Sequence, residues 1–151
     1  MKRSERMQTV ERVVTDAERK RAEALAARER YVTECETKLT ELEAYQKSYA
    51  AQFQTRAGAG MGAAGLQDFQ TFMVRLGEAV KQQAQLVVKA RADRDAERQV
   101  WQSAAQRAGA VGGLVERWQK EEQRQSDKLE QRESDERAQR PSIQSLQIRG
   151  N

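Results

Sequence analysis

Two long hydrophobic repeats, separated by a single cluster of glycines, limit the folds open to this chain of 151 residues more than any other feature. Along residues 7–52, apolar side chains recur at steps of three and four. Ten of the fourteen positions on this seam are hydrophobic, where composition alone predicts about five. Along residues 69–129, thirteen of eighteen seam positions are hydrophobic, against about seven expected. Heptad patterns sustained over this length are typical of a coiled coil.

The positions on each seam alternate in spacing, as heptad positions do. The first seam consists of Met7, Val10, Val14, Ala17, Arg21, Ala24, Arg28, Tyr31, Cys35, Lys38, Leu42, Tyr45, Tyr49 and Gln52. The second consists of Phe69, Met73, Leu76, Val80, Gln83, Val87, Ala90, Arg94, Glu97, Trp101, Ala104, Ala108, Val111, Val115, Trp118, Glu122, Gln125 and Leu129. Four charged residues in the middle of the seams are expected to weaken the packing there: Arg21, Arg28, Arg94 and Glu97.

The segment between the seams, residues 57–65, holds four glycines and no charge. Glycine disfavours helix and lets the backbone reverse direction. We therefore predict an all-α fold, a long antiparallel two-helix coiled coil (helical hairpin) forming one domain over residues 1–141. Its parts are a helix over about 5–55, a glycine-rich turn over about 57–65 and a helix over about 66–140. Pro141 is expected to end the second helix and leave residues 142–151 as a flexible tail.

Folding the chain back at the glycines pairs residues whose numbers add to roughly 123. Tyr49 is then predicted to meet Met73, and Leu42 to meet Val80. In this arrangement the first helix runs out near residue 120 of the second. The remainder of the second helix, to about Arg140, is predicted to overhang without a helical partner.

The residue types that most enzyme sites need are missing from this sequence. The chain has no histidine, which removes the usual general base and the commonest zinc ligand. The glycine cluster lacks the lysine and the serine or threonine of a phosphate-binding loop. We therefore predict that the protein is not an enzyme and that it holds no cofactor and no metal.

Charge and cysteine content bound the partners and the compartment. Lys and Arg total 27 against 23 Asp and Glu, and the signs alternate along the chain, which is typical of a solvated helix surface and not of a nucleic-acid site. No apolar run approaches the roughly 20 residues of a membrane span. The one cysteine, Cys35, cannot form an intrachain disulfide and is expected to pack in the seam. A cytoplasmic location without a membrane span is expected.

The region around the glycines carries more apolar side chains than a plain coiled coil requires. Phe72 lies one position off the seam, and with Leu76, Ala79 and Gln83 it makes a second stripe at helical spacing. Two overlapping stripes give an apolar face wider than one partner helix can cover, so we expect part of it to be exposed. A slightly shifted register that buries Phe72 locally is the alternative.

The two tryptophans lie on the second seam, where core packing is the default interpretation. Trp101 falls well inside the paired region. Trp118 would pair near residue 5, close to the start of the first helix. For Trp118, partner contact and intrachain packing therefore stay equally open.

In several of these segments the chain resembles the FliJ family, which consists of small coiled-coil proteins of the flagellar type III export apparatus. The similarity is carried first by Tyr45-Gln-Lys-Ser-Tyr49 ahead of the glycine-bearing loop, and then by Phe69-Gln-Thr-Phe72 with Leu76 and Ala79. Trp101, Leu114-Val-Glu-Arg117 and the charged run from Lys120 to Arg140 are similar to the family's second helix. The resemblance covers most of residues 38–140.

The resemblance implies a non-enzymatic stalk whose termini insert into the hexameric flagellar export ATPase and promote its assembly and activity. It also implies docking on the export-gate membrane protein, handling of export chaperones, and a monomer in isolation. The implied location is cytoplasmic, peripherally associated with the inner membrane at the flagellar base, with a role in motility and chemotaxis.

The family's gate-docking positions correspond here to Leu42, Tyr45, Tyr49, Phe72, Leu76 and Ala79. Lys38 and Gln83, at the edge of this patch, depart from the family pattern. For contact with the ATPase ring, analogy points to Met7, Val10, Val14, Leu114, Arg117, Trp118 and Arg124.

Two other functions stay open from the residues alone. A generic coiled-coil scaffold or adaptor would self-associate through the same seams, most simply as a parallel dimer with the glycine segment as a hinge. A client-specific secretion chaperone would form a stoichiometric complex with one exported substrate.

Overall fold

The computed structural model of the chain describes the backbone of residues 1–149 and the side chains of residues 1–140. Two helices make up the described fold, α1 (Arg3–Gly58) and α2 (Ala63–Arg149). They pack against each other in antiparallel fashion, and no strand occurs in the described residues. The predicted all-α helical hairpin is confirmed.

The turn between the helices is shorter than the glycine cluster that encodes it. Gly58 closes α1 and Gly65 already lies inside α2. Gly60 is the one described residue with a positive φ, 92°, a conformation that glycine adopts without the steric cost of a Cβ atom. The left-handed Gly60 lies where the backbone reverses, and Gly62 also lies in the turn. Gly58 and Gly65 belong to the helices, where glycine costs about 1 kcal/mol relative to alanine.

The second helix continues to Arg149, whereas the sequence predicted its end near residue 140. Proline removes one backbone hydrogen bond and can bend a helix without ending it, which accounts for the continuation past Pro141. The predicted flexible tail, residues 142–151, is helical in its backbone to Arg149. Its side chains, and residues 150 and 151 altogether, lie outside the described part of the chain.

The structure divides into two units, which we describe separately. Unit 2 consists of residues 18–104 and contains the turn. Its core is a cluster of buried side chains with Leu39 packed against it: Val32, Cys35, Val87 and Ala90. Cys35 is 4% exposed, so its predicted role in packing is confirmed.

Unit 1 consists of residues 1–17 and 105–151. Here the start of α1 packs on α2 as far as Glu122, to which Ser4 is hydrogen-bonded. From Gln123 to Arg140 every side chain is exposed, because α1 has no residues left to cover them. The prediction that the second helix continues beyond the part covered by α1 is confirmed.

The seam predicted for the second helix matches the structure. Every predicted position from Phe69 to Glu122 is buried or half-buried, while Gln125 and Leu129 are exposed beyond the end of α1. Cross-helix contacts also follow the predicted pairing closely: the ring of Tyr49, expected to meet Met73, lies against Phe72, the preceding residue.

The seam predicted for the first helix is wrong at alternate positions. Five predicted positions are buried or half-buried at heptad spacing: Met7, Val14, Cys35, Leu42 and Tyr49. Between them, the residue that faces α2 comes one later than predicted: Glu11, Glu18, Leu25, Val32, Leu39, Gln46 and Phe53. The predicted members Val10, Ala17, Tyr31, Lys38, Tyr45 and Gln52 are exposed instead, whereas Ala24 is half-buried as predicted. Arg21 and Arg28, which continue the heptad spacing of Met7 and Val14, are also exposed.

Side-chain chemistry explains the corrected register of α1. Leucine, valine and phenylalanine have no polar atom to keep in water, whereas tyrosine keeps its hydroxyl there when it lies outside the seam. Two of the three polar side chains in the corrected seam, Gln46 and Glu11, meet glycines. A Cβ atom on Gly77 would lie 3.8 Å from Gln46 Nε2, and one on Gly112 would lie 3.6 Å from Glu11 Oε1.

Candidate functional site

Aromatic side chains gather next to the turn in unit 2. Phe53 of α1 stacks on Phe69 of α2, with ring centroids 4.7 Å apart and an interplanar angle of 18°. Tyr49 meets Phe72 edge to face at 5.0 Å and 75°. Pairs of this geometry add about 0.5–1.5 kcal/mol beyond area burial. They fix the two helices to each other where the chain reverses.

An open cleft of about 780 Å³ lies beside this aromatic cluster. Its lining combines three aromatic rings, the polar side chains of Gln52, Arg56 and Asp68, and the glycines of the turn. The rings in question are those of Tyr49, Phe69 and Phe72. The cleft therefore offers an apolar wall with charges of both signs in its lining.

The sequence-predicted gate-docking residues all lie in unit 2, but they differ in exposure. Four of them, Leu42, Tyr49, Leu76 and Ala79, are half-buried between the helices. Tyr45 is 58% exposed and Phe72 is 43% exposed. The alternative in which a shifted register buries Phe72 is thus wrong, and the expectation of a partly exposed apolar face is confirmed.

Gln83 does not belong to this exposed face. It is 7% exposed, and its Nε2 atom donates a hydrogen bond to the Cys35 carbonyl oxygen at 3.0 Å. A buried amide that finds a partner across the helices fixes their register. Its departure from the family pattern therefore reflects packing inside the hairpin. Lys38, by contrast, is exposed.

A polar layer interrupts the seams elsewhere in unit 2. The Arg21 guanidinium lies 3.6 Å from Glu97 Oε1, a buried atom that accepts no hydrogen bond from the described residues. Trp101 Nε1 donates a hydrogen bond to Glu18 Oε1 at 2.8 Å. Buried polar groups contribute little stability compared with apolar side chains of similar volume. This layer fits the predicted weakening of the seam by charged residues.

In unit 1 the start of α1 is held by side chains of α2. Ser4 donates two hydrogen bonds to the Glu122 carboxylate, from its backbone nitrogen at 3.2 Å and from its Oγ atom at 2.5 Å. The Arg3 guanidinium lies 4.8 Å from the centroid of the Trp118 ring, a cation–π contact. The hydrogen bond from Ser4 holds the pKa of Glu122 below its ordinary value.

The predicted ring-contact residues all lie in unit 1. Four are half-buried between the helices: Met7, Val14, Leu114 and Trp118. Val10, Arg117 and Arg124 are exposed. Trp118 serves intrachain packing through Arg3, while part of its surface stays open to a partner.

Sequence reasoning missed the contact between Ser4 and Glu122. A serine within two residues of a helix start is a recognised cap signal, and Glu122 had a seam position. Together these two signals could have indicated that a carboxylate of one helix caps the other. The two residues are 118 positions apart, so the pairing itself needed the fold.

Metal-ligand clusters and membrane-spanning segments are two kinds of feature that the described residues lack. Within residues 1–140 no group of three or more His, Cys, Asp or Glu side chains is placed to hold a metal ion. In the described part of the chain, neither helix has a stretch that is apolar enough to cross a membrane.

A comparison with protein families shows to which family the chain is similar. The family model described as flagellar FliJ protein matches residues 2–147, nearly all of the 151 residues. No curated protein and no solved structure matches the chain. On the strength of this match and of its helical hairpin, the chain belongs to the FliJ family.

Proposed function

We propose that this chain is the non-enzymatic stalk of the flagellar protein-export ATPase complex. Membership of the FliJ family makes it a component of the flagellar export apparatus. In the proposal, it enters the ATPase hexamer, promotes the assembly and activity of the ring, and links the ring to the export gate and to export chaperones. It acts in the cytoplasm, peripherally associated with the inner membrane at the flagellar base.

The observation that best supports the proposal is the pair of exposed aromatic side chains on a hairpin whose core is already filled. Tyr45 and Phe72 are about half exposed although the seam beside them is closed by Gln46 and Met73. Exposed aromatic rings of this kind are enriched among the side chains that dominate protein interfaces. We assign the export gate to this face, with Leu42, Tyr49, Leu76 and Ala79 supporting it.

The ATPase contact is assigned to unit 1. The stretch from Gln123 to Arg140 extends beyond the start of α1, and its exposed side chains include interspersed acidic and basic residues. A helical pair with one longer arm suits insertion into a ring, because mixed charges give contacts that need not lock one orientation. Val10, Arg117 and Arg124 are the exposed members of the predicted contact set.

Stimulation of a cognate export ATPase tests the proposal. A chain ending at Gln125 keeps every described contact between α1 and α2 and removes only residues beyond them. We expect it to lose most of the stimulation that the full chain gives. The double variant Tyr45→Ala with Phe72→Ala is the control, because it should stimulate the ATPase like the wild type. Full stimulation by the shortened chain would refute the role of the exposed stretch.

Binding to the cytoplasmic part of the gate protein tests the other surface. The same double variant should bind at least about tenfold more weakly in calorimetric titration, the loss expected when two aromatic contacts are removed. Val74→Ala is the matched control, since Val74 is 62% exposed and lies outside the assigned face. If Val74→Ala and the double variant lost the same affinity for the gate protein, the assignment of this face would be wrong.

The scaffold alternative has less support. A parallel dimer through the seams would need the apolar positions that α1 and α2 fill within one chain, including Val32 and Val87. A client-specific chaperone would be indicated by a stoichiometric complex with one substrate in place of binding to the ATPase or gate.

A further inference from the structure

The two sides of the groove between α1 and α2 differ in unit 2. On one side, ion pairs cross between the helices. Arg91 Nε lies 3.2 Å from Glu36 Oε1, and Arg98 Nη2 lies 3.5 Å from Glu29 Oε1. We call this the ionic side. Its charges are paired within the chain.

The opposite side, which we call the apolar side, carries the residues that immediately precede seam positions. The large apolar residues among them are Tyr31, Tyr45, Phe72, Leu86 and Val100, which are 43%, 58%, 43%, 38% and 41% exposed. Lys38 and Asp93 are the charged residues at equivalent positions. The surroundings of Tyr31 on α1 show that a residue of α2 lies on the same side of the groove. A hydrogen bond with Cys35, together with the charges of Glu34 on its own helix and Asp93 on α2, raises the pKa of Tyr31. Asp93, which also precedes a seam position, therefore lies near Tyr31.

Charges line the two margins of the apolar side and have no partner there. Glu34 and Glu41 follow along the outer edge of α1, three residues after Tyr31 and Lys38. Arg75 and Lys89 hold the corresponding places on α2, three residues after Phe72 and Leu86. All four are exposed, and none forms an ion pair with a described residue. Over residues 27–48 the margin on α1 is thus acidic, and over residues 75–96 the margin on α2 is basic. Lys20 and Asp68 occupy equivalent positions farther along the two margins.

This pattern is complementary to itself. A twofold axis along the helix direction places α1 of one copy over α2 of another, so the acidic margin meets the basic one. Gln46 of α1 lies against Gly77 of α2. The numbers of Glu34 and Lys89 have the same sum as those of this pair, so in the antiparallel hairpin Glu34 and Lys89 lie at the same level along the helices. A twofold axis across the helices would instead set Glu34 and Glu41 against their own copies, which like charge disfavours.

We propose that the apolar side of unit 2 binds a second copy of this chain in a reversible, parallel dimer. Tyr31, Tyr45, Phe72, Leu86 and Val100 form its apolar centre, and Glu34 of each copy pairs with Lys89 of the other. The centre is a narrow stripe, so the dimer is weak and the monomer predominates at low concentration. On the proposed function, the dimer covers Tyr45 and Phe72 and therefore competes with gate docking.

Sedimentation of the full chain from about 5 µM to about 1 mM tests the dimer, with no other protein present. The wild type should show a mass that rises toward twice that of the monomer. Leu86→Glu should weaken the dimer at least about tenfold. Val88→Glu is the matched control, because Val88 is two residues away, 65% exposed and outside this side. A constant monomer mass, or equal losses from the two variants, would overturn the proposal.

A charge exchange tests the arrangement of the copies. Glu34→Lys and Lys89→Glu should each weaken the dimer, because each sets like charges together at two symmetric places. The double variant should restore it to near the wild-type strength. No restoration in the double variant would overturn the parallel arrangement. None of the residues changed in these experiments belongs to the assigned gate contacts, so a failure here leaves the proposed function standing.

Discussion

Two neighbouring valines of α2 provide the most direct test of how the hairpin is packed. Val87 is 3% exposed and belongs to the core cluster of unit 2, whereas Val88 is 65% exposed. Val87→Ala and Val88→Ala remove the same atoms from adjacent positions of the same helix. Any difference in the free energy of unfolding between the two variants therefore reports how deeply each side chain is buried. It also tests the register of α2.

The expected size of the difference follows from the exposures. At Val87 the two lost methyl groups cost about 1.6 kcal/mol in transfer free energy, and the space left behind adds about 0.5–1 kcal/mol. The better helix propensity of alanine returns about 0.5 kcal/mol, so the free energy of unfolding should fall by about 2 kcal/mol. At Val88 a loss of about 0.5 kcal/mol is offset by the same gain in propensity, which leaves stability nearly unchanged.

Thermal unfolding followed by circular dichroism at 222 nm measures both variants. A loss of about 2 kcal/mol corresponds to a decrease in Tm of about 4–8 °C for a chain of this length. Urea titration supplies the free energies and shows whether the m-value is preserved. A decrease for Val88→Ala as large as that for Val87→Ala would show that the register described above is wrong.

Three further predictions concern the turn, the start of α1 and its pH dependence. Gly60→Ala should destabilise the hairpin by about 1–2 kcal/mol because φ is positive there, while Gly58→Ala, at a helix end with open space around it, should be neutral or stabilising in the same urea titration. Glu122→Gln should speed amide hydrogen exchange over the first two turns of α1, because the charged acceptor for Ser4 is lost; unchanged exchange would contradict the contact. The pKa of Glu122 is lowered from 4.5 in the folded chain, so its contribution to stability is present above that pH and is lost as the pH falls through the folded pKa. Protection of the same amides should therefore decrease in acid for the wild type and not for Glu122→Gln.

The sequence was sufficient to predict the hairpin and the register of α2, in which thirteen of eighteen seam positions are hydrophobic. It misplaced half of the α1 seam for a physical reason. Tyr31 and Val32 are both apolar, so counting apolar side chains cannot choose between them. Tyr45 is more apolar than Gln46, so at that position the count favoured the wrong residue. What decided the register were features of the other helix, such as the space at Gly77 that accommodates Gln46.

The candidate surfaces were predictable to different degrees. The exposure of Phe72 followed from two overlapping stripes on one helix, which is a local property of sequence. The contact between Ser4 and Glu122 joins residues 118 positions apart and involves polar side chains without periodicity. The contrast between the ionic and apolar sides depends on which residues of α1 lie beside which residues of α2. It could therefore be seen only in the packed pair of helices.

The division between seam and flank has a consequence for any partner of this hairpin. Val32 and Val87 close the seam and stabilise the fold, while Tyr45 and Phe72 lie outside it and keep much of their surface in water. Replacing Tyr45 with alanine should therefore lower the free energy of unfolding less than Val87→Ala, although it removes many more atoms. If urea titration showed the reverse, the Tyr45 ring would belong to the core of the hairpin, and its loss could not be used to identify a binding surface.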